Sequence, residues 1–282
     1  MIDIQALRTR LDEINKVSSE QWMAKLTPRG VAELEFHNRA RDRAELEQLD
    51  QDTYEKFHGN KKYYSATKRS HDYIHDWIRK HAPGAVVLDY ACGQGGSARL
   101  AAKSGAKLVV GLDISDVSIR NARQLAKDEG VEANTYFVQA NAEDTQLPDE
   151  CVDVAICMGM LHHLDLSYAF PELRRIMKVG GRILAGEALD YNPAIKLYRY
   201  LTPQMRTEWE KAHILDHSDL RFAQRFFDIG EVRYWHVTGY VGGKFPTVLP
   251  ALDALDRALE RIPLIQLMAW IWTIELIRPP KT

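Results

Sequence analysis

Residues 86–96 read VVLDYACGQGG, an apolar run that ends on an acid and then breaks into glycines. Glycine at a turn from strand to helix lets the backbone approach a ligand closely, because no side chain stands between them. Gly93, Gly95 and Gly96 supply that freedom. Asp113 follows Gly93 by 20 residues, the interval at which an acid ending a second strand accepts hydrogen bonds from a ribose. Nucleotide binding is the chemistry these residues suit. A second group, His162, His163 and Glu187, lies at the ends of two further apolar runs, with Asp190 and Asn192 behind it. These are side chains able to take or give a proton. A carboxylate buried at a strand end costs desolvation, so Glu187 is expected to be hydrogen-bonded or useful. A third group comprises Lys196, Tyr198, Arg199, Tyr200 and Arg206, with His213 beyond. It suits either a solvated helix face or a lid whose arginines pair with a carboxylate or phosphate.

The elements that must position these residues follow from hydrophobic pattern. Apolar runs at 85–90, 107–113, 134–139, 152–158 and 181–188 read as buried parallel strands. Five alternations of strand and helix with short links predict an α/β fold with a doubly wound, mostly parallel sheet. Ligands bind outside the carboxyl ends of such strands. Ahead of the sheet, Ile4, Leu7, Leu11, Ile14 and Val17 recur at helical spacing. Thr27 and Pro28 cap and open a charged helix over about 28–51 with one narrow buried stripe. A third helix over 65–80 turns Tyr73, Ile74, Trp77 and Ile78 inward. After the fifth strand come helical pieces over 192–229, a strand over 231–241, a helix through Leu252, Leu255, Leu259 and Ile262, and a strand over 269–278. The expected organisation is a helical cap over 1–80, a nucleotide-binding core over 81–190, a helical lid over 191–230, and closing strands and helix over 231–282.

Composition sets limits. The 282 residues include 37 Lys and Arg against 39 Asp and Glu, a net charge of -2. That balance gives no reason to expect a nucleic-acid partner. With 27% charged and 45% apolar residues, global disorder is not expected. There is no apolar run of membrane-spanning length and no secretory h-region in the first 25 residues, so a cytoplasmic protein without a membrane span is expected. Cys92, Cys151 and Cys157 suit packing in a reducing compartment, and their spacing predicts no metal site.

The loop D-Y-A-C-G-Q-G over 89–95 resembles the D-x-G-x-G-x-G loop of class I S-adenosylmethionine-dependent methyltransferases, with Ala91 in place of the first glycine. NAEDTQLP (141–148) is similar to that family's D-A-x-x-L-P stretch, with Asn141 for Asp and two residues inserted. CMGMLHHLD (157–165) and RIMKVGGRIL (175–184) resemble the segments after the fourth strand and before the fifth, with Val179 where proline is usual. The likeness covers about 60–190 and reaches loosely through 186–207. It implies a Rossmann-like, seven-stranded sheet whose last strand is antiparallel, with helical N-terminal and lid additions. It implies S-adenosyl-L-methionine as cofactor, bound by Asp89, Ala91, Gly93, Gly95, Asp113, Ile114, Asn141, Ala142, Glu143 and Met158. Tyr63 and Tyr64 are expected to close over it. The implied reaction is direct methyl transfer to a small-molecule acceptor, anionic if the arginines recognise it. Glu187, His162 and His163 are the catalytic candidates, and Tyr198, Arg199, Arg206 and His213 the acceptor contacts. Two alternatives stand beside this: a nicotinamide-dependent oxidoreductase, and a protein that binds S-adenosylmethionine without methylating. A homo-oligomer is left open.

Overall fold

The protein is described here from a computed structural model, which covers residues 3–42, 48, 50, 51, 53, 54 and 59–280. The five apolar runs form β1 (Val86–Tyr90), β2 (Leu108–Asp113), β3 (Thr135–Gln139), β4 (Val152–Met158) and β5 (Met177–Ala188). All five pair in parallel. Every residue of β1 and β2 is buried, because both faces of the sheet are covered; hence the unbroken apolar runs. β5 starts earlier than expected, since Met177 already pairs with Val152 ahead of the Gly180 turn. Two further strands, β6 (Asp228–Trp235) and β7 (Ile271–Ile277), complete a seven-stranded sheet in the order β3-β2-β1-β4-β5-β7-β6. β7 runs antiparallel to both its neighbours. A dinucleotide-binding sheet keeps the order 3-2-1-4-5-6, so the inserted β7 sets this sheet apart from the oxidoreductase alternative.

Helices fill both faces. α1 (Ile4–Asn15) buries Leu7, Leu11 and Ile14 with Val86, Leu88 and Tyr90 of β1. α7 (Leu166–Ile176) joins that layer through Phe170, Leu173 and Ile176. On the other face, α4 (Lys68–His81), α5 (Gly96–Lys103) and α6 (Asp116–Asp128) pack Trp77, Ala98 and Ala122 with Val87, Phe137 and Ile156. So α4, expected within the N-terminal cap, belongs to the core sandwich. α2 (Ser19–Met23) leads to α3 (Pro28–Arg41), where Thr27 caps the helix by accepting from Gly30 N. The expected helix over 28–51 ends at Arg41 among the described residues, and 43–47 and 49 lie outside them. Beyond β5 stand α8 (Pro193–Leu201), α9 (Glu208–Ala212), α10 (His217–Ala223) and α11 (Leu249–Leu259). None of the described helices is long and apolar enough to cross a membrane.

Two expectations in the last quarter need correction. The strand expected over 231–241 ends at Trp235, because His236 takes a φ of 65° and turns the chain out of the sheet. Residues 239–243 then form a tight helical turn. On α11, Leu255 is 48% exposed, and Ile262 past its end is 43% exposed; Asp256 is fully buried instead. It is drawn inward by the backbone N–H groups of Thr238 and Gly239, which it accepts at 2.8 and 2.9 Å.

The turn from β1 to α5 carries one buried carboxyl that fixes its shape. Gly95 at the head of α5 has no side chain to cap it, so Asp89 does so from β1, accepting from Ala98 N at 2.8 Å. Burial pushes the Asp89 carboxyl up to about 7; the Ala98 bond opposes the rise and nearby Asp113 adds to it. A carboxyl that stays protonated in the folded chain while it ionises in the unfolded chain costs stability as pH rises between the two pKa values. Wild type should therefore lose stability relative to Asp89→Asn from about pH 4 to about pH 7, with no further change above that range. Urea unfolding of both proteins at pH 5 and 7.5 measures this; a constant difference would contradict it.

Candidate active site

The carboxyl ends of β1, β2 and β4 frame a cleft of about 80 Å³. Asp113, at the end of β2, is held in place by the backbone: its Oδ2 accepts from Gly93 N at 2.8 Å and its Oδ1 from Ser115 N at 2.9 Å. Ala91 and Gly93, with φ of 58° and 53°, carry the chain past it. A Cβ at Gly93 would lie 2.6 Å from the Arg41 guanidinium, whereas one at Gly95 would strike the Phe137 ring at 2.8 Å. Gly95 is thus required by packing, and Gly93 by the close approach of a group in front of Asp113. Ile114, Asn141, Ala142 and Met158 complete the sheet side of the cleft. Asn141 also shapes the turn, its Oδ1 accepting from Glu143 N at 3.0 Å.

α3 roofs this cleft with side chains one turn apart: Arg29, Glu33, His37 and Arg41. Arg41 lies 3.5 Å from Asp113 Oδ2 and 2.9 Å from Ser118 Oγ. Arg29 pairs with Glu143, donates to His163 O at 2.8 Å and stands over the Trp209 ring. Glu33 accepts from Thr207 Oγ1 at 2.6 Å and meets His163 Nδ1 at 3.0 Å. Burial, with the His163 and Arg41 charges nearby, holds the His37 pKa well below its usual value, so it is neutral at pH 7.

A larger cavity of about 290 Å³ lies beyond the ends of β4 and β5. One wall is aromatic and apolar, with Tyr63, Tyr198 and Trp270; another carries Arg199, Arg206 and Lys244. His162 borders it and is held from behind by Glu187, which is 1% exposed. Glu187 Oε1 accepts from Met160 N and Leu161 N, both at 2.8 Å, and Oε2 meets His162 Nδ1 at 2.6 Å. A carboxylate only accepts, so Nδ1 carries the proton and Nε2 presents a lone pair. Nε2 stands 4.0 Å from Glu210 Oε1. The turn Leu161–His163 is a wall common to both spaces: His163 borders the cleft and His162 the cavity, their rings 4.3 Å apart.

Several sequence expectations shift. Ala91, Asp113, Ile114, Asn141, Ala142 and Met158 do come together around the cleft. Asp89, Gly93 and Gly95 support the loop rather than line it. Glu143 is committed to Arg29 and to Asp165 N. Tyr63 and Tyr64, expected at the cofactor, line the larger cavity, where Tyr63 meets Tyr198 edge-on. Glu187 is walled off from the cavity and touches only its bordering residue His162 there. His213 is exposed and stacks on Trp209, leaving Ile214 to face the cavity. Arg199 is partly neutralised by Asp190 at 2.9 Å. Sequence reasoning missed the α3 stripe, although four polar side chains at a spacing of four signal a polar face; it also missed Glu210 and Lys244.

An S-adenosylmethionine-sized ligand needs a pocket of about 300 Å³ or more, well above the cleft's 80 Å³. The atoms that close the cleft are the ends of flexible Arg29 and Arg41 side chains, while its floor is a glycine turn beside the buried acid Asp113, which lines it. The residues present therefore fit a nucleoside once α3 yields.

Residues 88–185 match the sequence pattern of a family described as a methyltransferase domain. The ubiquinone/menaquinone biosynthesis C-methyltransferase UbiE of Proteus mirabilis is 36% identical over 106 residues, which are 36% of this chain and 41% of that protein. The chain spans half or less of the length of the curated relatives it matches. Among solved structures, geranyl diphosphate C-methyltransferase from Streptomyces coelicolor A3(2) superposes with a TM-score of 0.61 at 18% identity, covering 89% of this chain and 98% of that one. The [4+2]-cyclase SpnF superposes at 0.54 and 18% identity, over 74% and 80%. At such identities the superpositions speak for the fold. With the strand order, they show that this chain has the seven-stranded, Rossmann-like fold of class I S-adenosylmethionine-dependent methyltransferases, and residues 88–185 within it match a methyltransferase domain.

Proposed function

We propose that this protein transfers a methyl group from S-adenosylmethionine to a small molecule held in the cavity before His162. The observation that carries this is the wall common to the two spaces, which brings a cleft with a nucleoside-binding floor and an acceptor-sized cavity to one three-residue turn. The printed names of the relatives, a quinone-biosynthesis C-methyltransferase and a geranyl diphosphate C-methyltransferase, support a small-molecule acceptor. Arg206 and Lys244 opposite Tyr63, Tyr198 and Trp270 suit an acceptor with an apolar body and an anionic end. The even charge balance argues against a nucleic-acid substrate, and three unpaired, buried cysteines support a cytoplasmic setting.

When bound, S-adenosylmethionine supplies an activated methyl carbon, so the chain's own task is alignment and proton removal. Asp113 holds the ribose. The apolar wall of the cavity excludes water from the attacking atom. His162 Nε2 takes the acceptor's proton as that atom attacks, and the imidazolium formed lies between Glu187 and Glu210. Glu187 is a positioning residue: it fixes the tautomer that leaves Nε2 free. In Glu187→Gln the amide donates to Nδ1, the proton moves to Nε2, and the base is lost.

A hydrogen bond to a charged acceptor is worth about 1.5–3 kcal/mol. Asp113→Ala should then weaken S-adenosylmethionine by roughly ten- to a hundredfold by calorimetry, and wild type should bind no NADH. Unchanged affinity in the variant would remove Asp113 from the site, and NADH binding would favour an oxidoreductase. Glu187→Gln should keep its fold and its cofactor affinity yet lower kcat by about 10²–10⁴-fold, flattening the acid limb of the pH–rate profile. Acceptors are found by following labelled methyl incorporation into extract fractions. Full turnover by the variant would place the base elsewhere.

A further inference from the structure

Three clusters of histidine and carboxylate side chains occur among the described residues. In two of them a proton or a cation already joins the groups. Glu33 takes the Thr207 hydroxyl and meets His163. Glu210 faces Arg206 at 3.5 Å, while His162 is bound to Glu187. In the third cluster, His236, Asp253 and Asp256, no proton or cation joins the three groups to one another, although Asp256 accepts from Thr238 and Gly239. It lies where the chain leaves β6 and meets α11, away from the methyl-transfer site.

His236 is completely buried. Its Nε2 is 3.0 Å from Ser70 Oγ, and that hydroxyl donates its own proton to Thr67 O at 2.9 Å. Ser70 can therefore only accept, so Nε2 carries the imidazole proton and Nδ1 is a bare lone pair. Nδ1 is buried with no hydrogen-bond partner, as is Asp253 Oδ1. Ligand atoms of His236, Asp253 and Asp256 lie within 4.8 Å of one another. Two unpartnered lone pairs thus converge beside Asp256, whose oxygens take the Thr238 N–H, the Thr238 hydroxyl and the Gly239 N–H; the two orphaned lone pairs cost free energy until a positive charge joins them. Arg69 does not serve, since it forms a forked pair with Glu260 at 3.0 and 2.6 Å. Gly239 lies against the cluster: a Cβ there would stand only 3.0 Å from Asp256 Oδ2 and 3.2 Å from His236 Nδ1, closer than ordinary contact.

We propose that His236, Asp253 and Asp256 bind a divalent transition-metal ion of the zinc or manganese type at a structural site. One imidazole and two carboxylates suit those ions, whereas magnesium and calcium favour oxygen alone. The ion joins the end of β6 to α11 and braces the turn Gly239–Gly243, whose Tyr240 and Val241 border the acceptor cavity. It stabilises that wall without touching the reacting atoms. This departs from the sequence expectation of no metal, which rested on the spacing of the cysteines.

The test uses the full chain, stripped with a chelator and titrated with zinc chloride and, separately, manganese chloride. Wild type should bind about one equivalent and gain thermal stability in proportion to the logarithm of metal concentration above its Kd. Asp253→Asn, which removes a carboxylate oxygen that has no other partner, should weaken binding more than roughly tenfold. Gly239→Ala should do the same by crowding Asp256 and His236 out of position. No bound equivalent in wild type would overturn the proposal. So would equal metal affinity in both variants, which would assign the ion to the His162 or His163 clusters.

Discussion

A carboxylate that leaves water must be given hydrogen bonds, and this fold places one at the end of three of its strands. Asp89 on β1, Asp113 on β2 and Glu187 on β5 are 4%, 3% and 1% exposed. Each is satisfied by backbone N–H groups of the loop or helix start that follows a strand: Ala98 for Asp89, Gly93 and Ser115 for Asp113, Met160 and Leu161 for Glu187. The acids therefore do more than fill positions. They tie the loops at the carboxyl edge of the sheet into one arrangement, and the two spaces of the site are what lies between those loops.

The roof over the smaller space is held by weaker and more exchangeable contacts. Arg41 reaches Asp113 at 3.5 Å, and Arg29 pairs with Glu143 near the surface. Contacts of long, flexible side chains can be traded for ligand contacts at little cost, whereas the backbone bonds beneath them cannot. Stiff floor and yielding roof together explain why a cleft of 80 Å³ is compatible with a much larger ligand. The same α3 contacts reach Thr207 through Glu33, so movement of the roof is coupled to the helices that border the acceptor cavity.

Much of the sheet was legible because buried parallel strands need continuous apolar runs, and β1, β2 and β4 have them. The starts of α3 and α6 were legible because Thr27 and Ser115 are the oxygen-bearing residues that helix ends require. What the pattern could not show was which partner a polar residue finds across long stretches of chain. Glu33 and Thr207 are 174 residues apart, and Glu187 and His162 are 25 apart. Asp256 illustrates the failure: it lies inside an amphipathic pattern whose leucines suggested the buried face, yet loop N–H groups pull the acid inward instead. His236 ended a strand that β-propensity would have continued, because a buried histidine and α11 both needed the chain to turn there.

The central claim is that cofactor and acceptor meet at one turn, Leu161–His163. The position of S-adenosylhomocysteine in a co-crystal tests it most directly. The ribose hydroxyls should lie on Asp113 with Arg41 displaced from it, and the sulfur should face the Met160–His163 segment on the side of the larger cavity. A ligand bound elsewhere, or one seated with Arg41 still against Asp113 and its sulfur turned away from His162, would contradict the account.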